Sequence, residues 1–249
     1  MHTLNQWTLP PADLSLGDHD LHVWRIDLSQ SVICEAKLRT TLSPDEQARA
    51  DRFRFERDRR RYIVGRGALR SILGCYLGCS PPSITFEYEE RGKPRLAAQH
   101  ASTLQFNVSH SNEVAVCAVT RQAVGVDVEY TGRVVADADR LALRFFSINE
   151  NAVFGTLPIE AQRAAFFRCW TRKEAFIKTS GAGLSYPLDR FDVTLAPDLP
   201  PAFLSIDGDV SVAQRWALYH LEPAAAYVGA VAIEGRDWRL AGLIWPAEC

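Results

Sequence analysis

GVDVEY, residues 125–130, sets two carboxylates two residues apart. In an extended strand residues i and i+2 share a face, so Asp127 and Glu129 project together while Val126 and Val128 face a core. Two like charges side by side call for a cation or a shared proton. Hard carboxylate oxygens suit Mg²⁺, which takes one or two carboxylates and completes its shell with water and substrate phosphates. From this motif alone an acidic solvent face on a sheet edge reads the same way. A second cluster is WTRKEAFIKTSGAGL, residues 170–184. Glu174 and Lys178 stand at i, i+4 and so share one helix face, with Trp170 one turn earlier. As a surface ion pair they would contribute about 0.3–0.5 kcal/mol. Gly181 and Gly183 are expected to end that helix and permit a tight turn. Lys173 reads as structural or as a diphosphate contact.

Two polar groups could receive an anion. FNVSHS, residues 106–111, reads as a strand running into a turn where Ser109, His110 and Ser111 cluster. A Ser/His nucleophile pair is disfavoured, because adjacent residues do not easily hydrogen-bond to each other and no G-x-S-x-G elbow is present. Arg49, Arg52, Arg57, Arg59, Arg60, Arg61, Arg66 and Arg70 crowd one region, and Gly92-Lys93-Pro94 exposes a lysine on a turn. Such crowding is eased by anions, so two or three arginines are expected to be ligands and the rest solvated. A metal and phosphates together would satisfy the acids, the lysine and the basic pole, which points to phosphoryl-type transfer.

These groups need elements to hold them. Residues 21–28 read as a strand. Ser43-Pro44-Asp45-Glu46 is a helix start with a capping box, and helices are expected at 43–55 and 57–77, the second with Tyr62, Leu69, Ile72, Leu73 and Tyr76 on one face. Strands are expected at 84–88, 104–108, 113–119 and 124–129. Helices near 137–145 and 160–179 and strands at 190–195, 202–206, 216–221 and 227–233 follow. The fold class is α+β, as two halves of helices on a small, mainly antiparallel sheet. Element order puts the seam near Thr120 to Ala123. The first 20 residues, rich in Pro and Leu, are expected along the surface.

Composition excludes several classes. The chain has 249 residues, 47% of them hydrophobic, enough for a sizeable core. A net charge of -2 argues against a nucleic-acid partner. No run is apolar enough to span a membrane, and the start lacks the pattern of a signal peptide. The six cysteines include no C-x-x-C pair; they are expected to be reduced, buried and small in a cytoplasmic protein.

The combination W-x-x-K-E-A-x-x-K-x-x-G-x-G-L, with G-V-D-V-E some forty residues upstream, resembles the 4′-phosphopantetheinyl transferases of the larger, surfactin-synthetase-activating type, within the holo-[acyl-carrier-protein] synthase superfamily. RRYIVGRGALRSIL, RGKPRL, FNVSHS, RFFS and SYPLDRF extend the likeness over about Ser43 to Leu195. The resemblance implies a pseudo-dimer of two subdomains: 1–122 for the adenosine and 3′-phosphate, and 123–249 for the metal acids and the WxxKEA helix. Coenzyme A would lie in the cleft between them. It implies transfer of phosphopantetheine from coenzyme A to a serine of an apo carrier protein, releasing 3′,5′-ADP. Asp127, Glu129 and Glu174 match the metal acids, for Mg²⁺ or alternatively Mn²⁺, and Lys178 the phosphate lysine. Ser109, His110, Lys93 and Arg61 fall where the 3′-phosphate and diphosphate bind, and Arg49 matches a further basic contact. Glu46 departs from the pattern, since relatives can carry a basic residue there. Glu174, Glu129 or a metal-ordered water would be the base. The carrier is expected to dock on 131–143 beside the metal acids and the chain to act as a monomer. Its pathway stays open among fatty acid, polyketide, nonribosomal peptide and aminoadipate synthesis. A Mg²⁺-dependent nuclease and a non-catalytic carrier-binding module are the other readings.

Overall fold

The computed structural model describes residues 3–133, 138–179 and 186–246. In chain order the elements are β1 (Thr3–Leu4), β2 (Asp20–Asp27), α1 (Val32–Arg39), α2 (Pro44–Ala50), α3 (Glu56–Leu77), β3 (Phe86–Tyr88), β4 (Pro94–Leu96), β5 (Gln105–Ser111), β6 (Val114–Thr120) and β7 (Val124–Tyr130). Then come α4 (Ala138–Phe145), α5 (Ile148–Thr156), α6 (Ile159–Thr179), β8 (Phe191–Val193), β9 (Phe203–Ile206), α7 (Val210–Ala213), β10 (Trp216–Leu221), β11 (Tyr227–Glu234) and β12 (Arg239–Ile244).

Two four-stranded sheets carry the molecule, in the orders β1-β10-β11-β7 and β12-β2-β6-β5. Period-2 alternation explains their stacking. Leu21, Val23, Val116 and Ala118 of one sheet meet Val124, Val126, Val231 and Ile233 of the other in a core between the sheets. The opposite faces bury Trp24, Ile26, Cys117 and Val119 under α1 and α3, and Ala230 and Ala232 under α6. The result is four layers, helix, sheet, sheet, helix, which agrees with the expected α+β class of two helix-on-sheet halves. The pairing is mainly antiparallel, but β1 runs parallel to β10 and β12 parallel to β2. Each sheet thus takes a strand from the far end of the chain.

Ser43 starts α2 as expected: its N–H donates to Glu46 Oε2 at 3.0 Å. The expected helices 43–55 and 57–77 correspond to α2 and α3, with the first ending five residues early. The helices α1, α5 and α7 and the strands β1, β4 and β12 are additional to expectation; β1 joins a sheet and Leu4 and Leu16 are buried, so the first 20 residues do not simply lie along the surface. Val32 and Ile33 hide α1 behind a β-branched start. Ser147 and Glu150 give α5 a full capping box, with bonds of 2.8 and 3.1 Å. The Ser-His-Ser group is not a turn: β5 runs on through Ser111. The cysteine expectation is corrected too. Cys34 is disulfide-bonded, while Cys75, Cys79, Cys117 and Cys169 are free thiols. No helix among the described residues is long and apolar enough to cross a membrane. Gly181 and Gly183, expected to end α6, and 134–137 of the expected docking segment lie outside the described residues.

Candidate active site

The two sheets meet edge to edge where β5 passes β7. Asn107 is buried and accepts a hydrogen bond from Val126 N at 2.9 Å, tying the strands together. Two residues on, Ser109 Oγ donates to Asp127 Oδ1 at 2.8 Å, and two further, Ser111 Oγ donates to Glu129 Oε2 at 2.8 Å. Ser111 Oγ also accepts from Tyr130 N at 3.0 Å. Both strands have period 2, so N-x-S-x-S on one matches V-D-V-E on the other step for step. That matching period was a usable signal for Ser111 and Asn107, which motif reading left out of the site.

Helix α6 covers this seam, and Gly125 lets it come close. A Cβ at Gly125 would fall on Ala175 O and crowd Thr179 N, so the residue before the two acids must lack a side chain. The close approach brings Lys178 Nζ to 2.6 Å from Asp127 Oδ1 and 3.0 Å from Ser109 Oγ. Glu174 shares that helix face. Its carboxyl is pushed up to about 7, first by burial and then by the charges of Asp127 and Glu129, against the pull of Lys178. Burial also raises Glu129, with Asp127 adding to it and Ser111 and Arg133 opposing. Arg133 pairs with Glu129 at 3.0 Å, a contact not anticipated from the sequence. Asp127 Oδ2 is buried with no hydrogen-bond partner.

The donor chemistry therefore suits a divalent cation: the charge of Asp127 reaches and raises both Glu129 and Glu174, and one buried oxygen of Asp127 is unclaimed. They do not form a ready cage. Among the described residues no three acids, histidines or cysteines stand close enough to enclose a metal ion by themselves. Mg²⁺ does not require one, because water and substrate phosphates supply most of its shell. Lys178 and Arg133 provide the compensating charge in the apo chain.

The basic pole surrounds this centre unevenly. His110 alternates with its two serines and faces the α3 side of β5; burial, then Lys178 and Arg61, holds its pKa below the ordinary value. Arg61 bonds Asn112 Oδ1 at 2.7 Å and pairs with Glu113. Lys93 donates to Lys178 O at 2.7 Å and Thr179 O at 3.0 Å, capping the end of α6. Burial lowers its pKa. Ser109 is buried behind Asp127. Lys93 and Ser109 touch Lys178 directly, and His110 lies within reach of the charges of both Lys178 and Arg61. Arg49 does not join them: it lies near the Tyr62 ring, 5.4 Å from its centroid, beside a depression with Asp45, Arg52 and Phe53.

Most other arginines have partners within the chain. Arg59 and Arg60 pair with Glu35 at 3.5 and 3.1 Å. Arg66 and Arg70 pair with Glu46, the latter at 2.6 Å. The anions that relieve the cluster are its own acids, and Glu46, 2% exposed, is one of the structural ones. Lys173 is structural as well. Fully buried, it pairs with Glu150 at 2.7 Å and donates to Leu188 O and Phe191 O, both at 2.6 Å.

Comparison with known proteins agrees with this geometry. Residues 34–122 match the family model described as 4′-phosphopantetheinyl transferase, N-terminal, and residues 123–232 match that of the 4′-phosphopantetheinyl transferase superfamily. The 4′-phosphopantetheinyl transferase HetI of Nostoc sp. is 43% identical over 236 residues, covering 94% of this chain and 95% of the relative. The 4′-phosphopantetheinyl transferase Sfp of Bacillus subtilis is 33% identical over 157 residues, 63% of this chain and 68% of the relative. A phosphopantetheinyl transferase of Thraustochytrium sp. is 30% identical over 186 residues, 70% of this chain and 64% of the relative. A match to HetI running nearly end to end is sufficient to conclude that this chain belongs to the 4′-phosphopantetheinyl transferases, of the Sfp type.

Proposed function

We propose that this transferase takes the 4′-phosphopantetheine group from coenzyme A, with Mg²⁺ or Mn²⁺ bound, and attaches it to a serine of an apo acyl, peptidyl or aryl carrier protein. The products are holo carrier and 3′,5′-ADP. The supporting observation is the buried, unclaimed Asp127 Oδ2 among three mutually repelling acids with Lys178 alongside. When bound, the cation compensates those carboxylates and the diphosphate together.

The carrier serine Oγ attacks the phosphorus that bears the pantetheine arm. The new O–P bond forms as the P–O bond to 3′,5′-ADP breaks. Glu174 takes the serine proton, and Lys178 stabilises the charge on the leaving oxygen or protonates it. Ser109 and Ser111 hold Asp127 and Glu129 in register. Lys93, Arg61, Ser109 and His110 receive the 3′-phosphate and diphosphate, with Arg49 a further contact to the adenosine end. Residues 1–122 serve the adenosine end and 123–249 the metal acids, in a monomer acting in the cytoplasm.

The test is to incubate the protein with coenzyme A, Mg²⁺ and an apo carrier, then weigh the carrier. A gain of one phosphopantetheine is expected, lost on chelation; no gain with any apo carrier class overturns the proposal. Docking on 131–143 draws on Arg140 of α4 and on Leu143, 74% exposed, with Arg144 just beyond the segment on the same helix. Carrier proteins are acidic around the modified serine, so basic residues there would steer them. Arg140→Glu with Arg144→Glu should raise the carrier KM several-fold and spare the coenzyme A KM; unchanged constants place docking elsewhere.

A further inference from the structure

A cavity of about 430 Å³ opens beside α6, bounded by Thr131, Arg168, His220, Glu222 and Tyr227 among others. Apart from Thr131, which begins the proposed docking segment, none of these residues has a part in the proposed transfer. At 3.6 residues per turn Arg168 and Arg172 stand roughly 120–160° around the helix from Glu174, so they face away from the metal acids. Their contacts agree: Arg168 donates to Leu195 O at 2.7 Å, and Arg172 donates to Thr194 O and to Thr194 Oγ1, the latter at 3.0 Å.

The cavity is lined by one cation, Arg168, and one acid, Glu222, with Arg172 in the layer behind, close enough to act on His220. Arg172 is 2% exposed and its Nε is buried without a partner. His220 keeps Nδ1 buried and unpartnered as well. The nearby acid, Glu222, comes only to 3.6 Å from His220 Nε2 and leaves 53% of its side chain exposed. The other fully buried guanidinium, Arg70, meets the carboxylate of Glu46. Among the described residues Arg168 and Arg172 have carbonyls and one hydroxyl instead. Buried cations without a counter-ion are costly. Burial lowers Arg168 and brings Arg172 down to about 10; burial together with these two cations pushes His220 down to about 4.

The geometry points to an anion site in this cavity, for a small organic molecule carrying a phosphate or carboxylate, held by Arg168 and His220 with Arg172 behind them. A guanidinium fork matches both anions. The volume falls within the range of small-molecule pockets, and Ala164 and Ala224 to Ala226 supply an apolar wall that inorganic phosphate alone would not use.

The reporter is the His220 ring, followed by NMR in the full-length protein and assigned with His220→Gln. The probes are glycerol 3-phosphate in one arm and succinate in the other. At least one should raise the His220 pKa saturably by about one unit or more, and which one responds identifies the anion. Arg168→Gln should weaken that binding roughly tenfold or more. Should Arg168→Gln fail to fold, Arg168→Lys, which keeps the charge and loses the fork, should bind with intermediate affinity. Adding Lys178→Ala should leave the His220 response intact, because that lysine serves the other side of α6. The proposal is overturned if neither probe moves His220, if the Arg168 variants bind as tightly as native protein, or if Lys178→Ala abolishes the response.

Discussion

Glu174 is the carboxyl whose surroundings change it most among the metal acids. Burial and two neighbouring carboxylates hold it protonated near neutral pH in the apo chain, at about 7 against 4.5 in the unfolded chain. A raised folded pKa contributes stability that is fully present below the unfolded value and lost as pH rises through the folded one. In chelator-treated protein Glu174→Gln should therefore melt like native at pH 4 and be more stable at pH 8. The gain should be on the order of 1–2 kcal/mol, discounted for the water that still reaches the carboxyl. Equal differences at both pH values would show that Glu174 titrates normally. His110 has the opposite bias, because burial first, and then Lys178 and Arg61, disfavour its charged form. A bound dianion reverses that. If His110 meets the 3′-phosphate, His110→Ala should cost roughly tenfold to a hundredfold in kcat/KM for coenzyme A and far less for dephospho-coenzyme A. Equal losses on both substrates would remove His110 from the 3′-phosphate.

The contact between α6 and β7 is what turns three acids into one site. Gly125 precedes Asp127 on the face that meets α6, and the obstruction to a side chain there is the backbone of Ala175, which has no rotamer to escape into. Gly125→Ala should cost about 3 kcal/mol, roughly 6–12 °C in Tm, and should lower kcat further by moving Glu174 and Lys178 off Asp127. Retained kcat with a lowered Tm would mean that α6 yields without disturbing the acids. The buried Lys173–Glu150 pair supports the same helix from behind, joining α6 to the capped start of α5 and to Leu188 and Phe191. Lys173 and Glu174 are adjacent yet opposite in role, since one residue of helix rotates a side chain by about 100°.

The exchange of terminal strands decides how the two halves hold together. β12 completes the sheet of β2, β6 and β5, and β1 completes the sheet of β10, β11 and β7. Residues 1–122 alone would therefore expose the edge of β2 and lose the valine-rich core that lies between the sheets. Neither 1–122 nor 123–249 should show a cooperative thermal transition by itself, whereas the two mixed should recover one along with transferase activity. Cooperative melting of an isolated half would show that the exchanged strands are dispensable.

Local pattern was enough to place much of this protein. Helices α2, α3 and α6 and strands β2, β6, β7, β10 and β11 follow from periodicity and caps, because their signals lie within a few turns of chain. That Asp127 and Glu129 share a strand face, and Glu174 and Lys178 a helix face, followed likewise from strand and helix periods, whereas the partner of Lys178 is Asp127. What tertiary structure alone decided were relations between residues far apart in sequence. β12 pairs with β2 across more than 200 positions and has no hairpin to announce it. Ser109 and Ser111 meet their acids 18 residues away. The crowded arginines are neutralised by Glu35, Glu46 and Glu113, and Lys93 is drawn to carbonyls at the end of α6. Composition supplies the charges, but only packing determines which charges share a low-dielectric space and which are screened by water, and therefore which residues remain available to a ligand.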